Sequence, residues 1–282
     1  MSNPPQSEPS TRTFRHRSDF PFLAAMWGLG GSYVLLVLLL IIADAVRTSP
    51  RHLGEALLKP EIQAAVLLTL KTCTLSAILS LWVALPLAYL LSRQHFPGRF
   101  LIDILVDIPL VLPPLVLGLS LLMLFHLSLD GWKLESWLRA SFEFPVTYHV
   151  PSIVLAQFVV TASFAIRTLR VTFDRIDPRA EDVARTLGCS RGQAFFRVCL
   201  PQAVPGMLTA FTIAWARALG EFGPILVFSG TTPFRTEVLS TAIYLELGIG
   251  HLESAIAISL LMIALAVLVL VILRCLGDWT AP

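Results

Sequence analysis

Charge is the scarcest property of this sequence: only 14% of its 282 residues are Asp, Glu, Lys or Arg, against 55% that are hydrophobic. So little charge cannot clothe a water-soluble domain of this length, and the apolar residues fall into long runs, so the chain reads as an integral membrane protein. Nucleophile–base arrangements, phosphate-cradling glycine loops and the HExxH signature are also missing, which removes the familiar routes to catalysis or nucleotide binding. The chain is not expected to be an enzyme. Four cysteines at 73, 189, 199 and 275 form no CxxC pair and no His/Cys cluster, so they read as packing residues rather than a disulfide framework or metal set. His251 and Glu253 lack a further ligand at suitable spacing, and no metal site is expected there. A net charge of +2 gives no electrostatic reason for nucleic-acid binding.

What is present is a series of six apolar segments, at about 22–43, 63–91, 101–127, 148–168, 203–229 and 253–274, each long enough for the roughly 30 Å hydrocarbon core. Six crossings return both termini to one side. Outside the segments, Lys and Arg number thirteen on the side of the termini and six on the other, so the positive-inside rule puts both termini in the cytoplasm. Residues 1–20, rich in Ser, Pro, Thr and Arg, are expected to form a disordered tail. The first apolar run has no small-residue cleavage site and is kept as a span.

The most informative stretch is polar. Asp177 to Pro205, DPRAEDVARTLGCSRGQAFFRVCLPQAVP, interrupts two apolar segments on the arginine-rich side. Asp177 is expected to N-cap a helix with Pro178 at its first position and acids Glu181 and Asp182 near the positive dipole end. Gly188 closes that helix in the left-handed conformation, and Ser190 with Gln193 makes a capping box for a second helix that should stop at Leu200-Pro201. Val183, Ala184 and Leu187 have too little surface within such a loop to bury them, so another protein is expected to cover them.

Inside the apolar segments, prolines at 109, 113 and 114 predict a broken helix in the third span. Asp103 and Asp107, one turn apart at its cytoplasmic end, have Arg93 and Arg99 as available partners. In the fifth span Arg217 and Glu221 are four residues apart; ionised groups there cost roughly 2.5–3.5 kcal/mol each, so they should face protein or water and pair. Gly220 and Gly223 should allow close helix approach, and Pro224 interrupts the ladder. Lys71 reads as a snorkelling residue or a path-lining one. The segment 231–254 carries Val238, Leu239, Ile243 and Leu247 at amphipathic spacing. Ser120, Thr161 and Ser163 are candidate hydrogen-bond donors to an anion.

The spacing Asp182-Val183-Ala184, three residues, Gly188, nine residues, Val198, one residue, Leu200-Pro201 resembles the EAA loop of ATP-binding-cassette importer permeases, with Asp182 and Val183 where that family usually has Glu and Ala. From about 63 to 275 the chain is similar to molybdate and tungstate permeases, with sulfate permeases as close relatives. LPLAYLLSR (85–93), IPLVLPPLVLGL (108–119), ARALGEFG (216–223) and TEVLSTAIYLELGIGHLESAIAISL (236–260) carry that similarity.

The resemblance implies an all-α polytopic membrane protein, six transmembrane helices in the type I importer permease fold, lodged in a prokaryotic cytoplasmic (inner) membrane. It implies a homodimer with two ATPase subunits and an extracytoplasmic substrate-binding protein; ATP and Mg belong to the ATPase, and this chain holds no cofactor. Asp182, Val183, Ala184, Gly188, Leu200 and Pro201 would couple the chain to the ATPase, and Pro113, Pro114, Arg217 and Glu221 would belong to the translocation path or its gate. Sulfate or thiosulfate import is the alternative cargo. A membrane scaffold or sensor that recruits a cytoplasmic partner is the alternative of another class.

Overall fold

Prolines mark where helices start or bend: Pro60, Pro114, Pro151, Pro178, Pro201 and Pro224 stand in first turns, and Pro86, Pro109 and Pro205 lie inside helices. The computed structural model describes residues 20–47, 54, 57–129, 132–143 and 145–278. The amino-terminal tail expected to be disordered lies, up to residue 19, outside the described residues. The chain divides into two units, the first ending at Val46. That unit contributes α1 (Phe20–Arg47), 28 residues with no internal proline. At 1.5 Å per residue it is about 42 Å long, ample for a bilayer.

The second unit is built on α2 (Pro60–Arg93) and α6 (Val150–Arg175). Their contacts advance together, Ser76 with Val154 and Gln157, then Ser80 with Thr161, then Ser92 with Asp174, so the two helices run parallel. Small residues make this possible. Cys73, Ala77, Ala84 and Ala88 on α2 are fully buried, as are Ala156 and Ala165 on α6, and such faces let membrane helices approach through van der Waals contact where lipid offers no hydrophobic drive. The hydroxyls of Ser80 and Thr161 hydrogen-bond each other at 2.7 Å, and Gln157 donates to the Ala218 carbonyl at 3.2 Å. Interhelical bonds of this kind average about 0.6 kcal/mol each. Thr161 and Ser163 are thus buried in helix packing, and Thr161 spends its hydroxyl on Ser80 and the Gln157 carbonyl rather than on a passing anion.

The third and fifth apolar segments are both broken. α3 (Arg99–Val111) and α4 (Pro114–His126) meet at 114°, since Pro113 and Pro114 supply no N–H to carry the ladder across. α9 (Leu200–Leu219) ends at Gly220, and α10 (Gly223–Phe228) restarts three residues on. α4 and α10 then pack on each other. A short two-residue antiparallel ladder (β1 Ser128–Leu129, β2 Trp132–Lys133) and α5 (Leu134–Phe142) lead into α6. α11 (Leu239–Gly248) packs on α12 (Leu252–Asp278) and on the start of α2 through Ile62, Ala65, Leu239, Ala242 and Ile258. Val238 and Leu239 are buried and Ile243 is half-buried, whereas Leu247, expected on the same apolar side, is exposed.

Among the described residues five helices are long and apolar enough to cross a membrane, and six if α3 and α4 cross as one bent span. Asp103 and Asp107 do not pair with Arg93 or Arg99. Arg170 donates to Asp103 at 2.6 Å, and Arg167 makes a bidentate contact to Asp107 at 2.7 and 2.6 Å. The reason is geometric: Asp103 and Asp107 share a face of α3, Arg167 and Arg170 share a face of α6, and the two faces meet. Arg93 is committed elsewhere.

Candidate functional site

The polar stretch after α6 folds as a pair of helical arms. Asp177 accepts a hydrogen bond from the Arg179 amide at 3.0 Å and caps α7 (Pro178–Thr186), with Pro178 at its first position. At the other end Gly188 has φ +95°, the Cys189 amide donates to the Ala184 carbonyl and the Gly188 amide to that of Arg185. This is a Schellman closure, which requires a left-handed residue. Ser190 and Gln193 exchange the two hydrogen bonds of a capping box at the start of α8 (Arg191–Ala194).

The second arm does not stop at Leu200-Pro201. Residues Phe195–Cys199 form a π turn in which the Leu200 amide reaches back to the Phe195 carbonyl, and the helix runs on into α9. A proline ring clashes with the carbonyl four residues back in a regular helix, and a widened turn just before it makes room. The arm is therefore one end of a long helix that runs unbroken from Arg191 to Leu219.

A carboxylate fixes the pair to the membrane helices. Glu181 accepts from the Tyr89 hydroxyl at 2.7 Å and from Arg93 Nε at 2.9 Å, while Arg93 Nη2 donates to the Ile176 carbonyl at 2.8 Å. Tyr89, Phe173 and Phe195 stack edge to face or tilted beneath it, with centroids 4.7–6.3 Å apart, a favourable range for aromatic pairs. Glu181 is buried, and so are Ala184, Ala194 and Cys199. Ala184 therefore faces its own chain, unlike the expectation that it awaits a partner. Val183 and Leu187 do point outward, 57% and 80% exposed, and Phe196 joins them at 66%. Asp182 is exposed beside Arg185 at 3.5 Å. Leu200 is half-buried and Pro201 exposed on the second arm. Sequence reading missed Glu181, Tyr89 and Arg93 as a set. Tyr89 and Arg93 sit one turn apart at the end of a span, but nothing local ties them to an acid 88 residues on.

The second group lies at the breaks. A Cβ on Gly223 would come within 2.8 Å of Pro114 Cβ, and one on Gly118 within 2.7 Å of Pro224 Cα, so Pro114 seats on Gly223 of the other break and Pro224 seats on Gly118 near the start of α4. Pro114 is thereby brought beside the α9–α10 break, whereas Pro113 only caps α4. Gly220 makes no such contact; its nearest neighbours would be 3.9 Å away. Arg217 and Glu221 pair at 2.6 Å, with Glu221 almost wholly buried just past the end of α9 and Arg217 one-third exposed. The Arg217 guanidinium also lies 5.9 Å from the Phe164 ring centroid, within cation–π range. Ser240, from the start of α11, donates to the Glu221 carbonyl at 2.9 Å. Three elements thus meet at one ion pair.

Broken membrane helices around an ion pair, joined to an outward-facing helical pair at one end of the bundle, define a multi-pass membrane transport subunit. The chain belongs to the family of binding-protein-dependent transport system inner membrane components, whose model matches residues 78–281. It is 33% identical to the sulfate transport system permease protein CysT of Escherichia coli over 90% of this chain and 92% of that one. Identity is 36% to the molybdenum transport system permease protein ModB of Escherichia coli, over 79% of this chain and 94% of that one. It is 35% to the molybdate/tungstate transport system permease protein WtpB of Thermococcus kodakarensis, over 79% and 81%. Among solved structures, a chain of a bacterial alginate ABC transporter, in complex with an alginate-bound periplasmic protein, superposes with a TM-score of 0.71 at 19% identity, covering 90% of this chain and 93% of that one. A chain of the MetNI methionine ABC transporter gives 0.59 at 18%, covering 77% and 95%. The fold is that of type I importer permeases. The chain is a permease rather than an enzyme, and ATP hydrolysis belongs to a separate subunit.

Proposed function

We propose that this chain forms the translocation path of an ATP-driven oxyanion importer, carrying molybdate or tungstate, as a homodimer fed by an extracytoplasmic binding protein and driven by two ATPase subunits. In this reading both termini face the cytoplasm, ATP and Mg are held by the ATPases alone, and α7 and α8 are the coupling helices. The observation that carries the reading is that Val183 and Leu187 stand exposed on a short helix whose other face is locked to α2 through Glu181. An exposed apolar pair on a rigidly held knob suits a partner that must push. Asp182, Gly188, Leu200 and Pro201 shape the same pair of arms. A push on α7 reaches Tyr89 and Arg93 on α2, and a push on α8 reaches α9 along one continuous rod, at whose far end Arg217 and Glu221 sit.

Only contacts that differ between inward-open and outward-open arrangements can bias the transport cycle. The Arg217–Glu221 pair and the Pro113–Pro114 bend are the places where a change could register, since both lie where helices are already interrupted. Relatives named for molybdenum and molybdate/tungstate transport support the cargo. Sulfate is the second reading, favoured by the longer match to the sulfate permease, which extends over 90% of the chain. Uptake by the reconstituted complex with labelled molybdate, competed by tungstate or sulfate, separates the two.

The Gly188→Val substitution puts a β-branched residue at φ +95°, where L-residues pay about 1–2 kcal/mol. The Schellman closure should open and cargo-stimulated ATP hydrolysis should fall severalfold in the assembled complex. Unchanged stimulation would remove α7 from the coupling route. For the gate, the double exchange Arg217→Glu with Glu221→Arg keeps the pair while reversing its polarity. Assembly at wild-type yield with loss of uptake is the expected result, and full uptake would reduce the pair to a structural strut.

A further inference from the structure

The stripe of α2 that includes Lys71, Leu75, Leu79 and Trp82 differs from its buried small-residue face, because it lines two adjoining cavities. The larger, about 630 Å³, is walled only by apolar side chains from α2, α4, α6 and the approach to α6. The smaller, about 210 Å³, lies toward the end of the bundle opposite the coupling arms and is lined by Lys71, Arg235 and Glu237, with Val150 in the wall of both. From Lys71 to Trp82 is eleven helical residues, about 16 Å. That is close to the depth of one leaflet of a hydrocarbon core roughly 30 Å thick.

The polar end is unfinished. Lys71 and Arg235 are exposed, and no carboxylate lies within ion-pairing range of either among the described residues. Glu237 is only 6% exposed, and its Oε2 has no hydrogen-bond partner. Burial pushes its carboxyl up from the ordinary glutamate range, and the carboxylates of Glu61 and Glu246 push the same way. A buried acceptor left unpaired is costly, and two unpaired cations beside it complete a pattern of positive and negative charge above an apolar slot.

We propose that this site holds one aminophospholipid, with an acyl chain in the apolar groove, its phosphate between Lys71 and Arg235, and its primary ammonium on Glu237. Phosphatidylethanolamine has that chemistry. A choline headgroup keeps the charge but has no N–H to donate to Glu237, and a glycerol headgroup has no cation to offer it. The groove is a lipid seat that steadies α2 against α6 and the loop before α11.

The test is native mass spectrometry of the purified full-length protein offered equal amounts of phosphatidylethanolamine, phosphatidylcholine and phosphatidylglycerol. One charge-assisted hydrogen bond should give phosphatidylethanolamine about a tenfold advantage over phosphatidylcholine. Glu237→Gln should bring phosphatidylethanolamine down to the level of phosphatidylglycerol. Lys71→Gln with Arg235→Gln, both at exposed positions that leave packing intact, should lose both lipids. Brominated acyl chains on phosphatidylethanolamine should quench the fluorescence that Trp82→Phe removes. Equal retention of the three lipids by the wild-type chain, or a preference untouched by Glu237→Gln, would overturn the proposal. So would crosslinking of Leu79→Cys to a second copy together with Trp82 fluorescence that brominated lipid fails to quench, since a protein helix would then fill the groove.

Discussion

Glu181→Ala is expected to uncouple the permease: cargo-stimulated ATP hydrolysis and uptake should fall to background in the reconstituted complex, while the chain still inserts and binds lipid. The carboxylate hydrogen-bonds two side chains of α2, and both it and Arg93 are nearly buried, with side chains 11% and 12% exposed. Removing one member of such a pair leaves the other charge uncompensated, a loss of about 3–5 kcal/mol. The Tyr89 hydroxyl loses its acceptor in the same step. A helix of nine residues cannot hold its place without that anchor, because helices so short are marginal by themselves. Arg93→Met in the Glu181→Ala background should recover part of the stability, since the stranded charge is gone, but not the coupling, since the bridge is still absent. That split between a thermal-unfolding midpoint that recovers and ATPase stimulation that does not is what a purely structural role for Glu181 fails to produce. If Glu181→Ala retains wild-type stimulation, force does not enter through α7.

The second large effect belongs to the interlocked breaks. Gly223→Val is expected to prevent the α4–α10 contact from forming, because its Cβ would stand 2.8 Å from Pro114 Cβ and 3.1 Å from the backbone at Leu115. Neither neighbour is the far end of a flexible side chain, so the backbone itself must move. Over-packing of this sort costs about 1–3 kcal/mol or more, and Val adds two methyl groups beyond the Cβ. The yield of monodisperse protein should drop sharply and its unfolding midpoint should fall by several degrees. Gly220→Ala, three residues earlier, supplies the comparison, since nothing approaches its Cβ position closer than 3.9 Å. Equal behaviour of Gly223→Ala and Gly220→Ala would show that the close seat does not matter.

These two expectations differ in what made them visible. The glycines and prolines of the breaks stand out in the sequence, where Pro114 and Pro224 are read as interruptions and Gly220 and Gly223 as places of close helix approach. What the sequence does not contain is that the two interruptions face one another, or that Gly223 rather than Gly220 is the close one. A helix break is a local property of residues that lack an N–H or a Cβ. Its partner is chosen by how two distant segments cross.

The paired arms α7 and α8 divide in the same way. Asp177, Pro178, Gly188, Ser190 and Gln193 act through backbone groups within a turn of themselves, so the caps, the left-handed closure and the break between the arms follow from residue order alone. The end of the second arm does not, because a π turn that accommodates Pro201 depends on Phe195 and Cys199 being held by packing from Tyr89 and Phe173. Ala184 turning inward and Val183 with Leu187 turning outward is likewise a result of where Glu181 is tied.

By itself, the sequence determined that this is a multi-pass helical membrane protein and that a paired-helix unit interrupts its spans, since hydropathy, proline and capping act over a few residues and need no tertiary context; the fifth span, expected at about 203–229, instead runs from Arg191 to Leu219. The tertiary structure alone decided which charges meet: Glu181 with Arg93, Asp107 with Arg167, Asp103 with Arg170. A side chain in or near a membrane must be neutralised by whatever opposite charge the helix crossing delivers, and the crossing is set by small-residue faces such as that of α2, far along the chain from the charges they bring together.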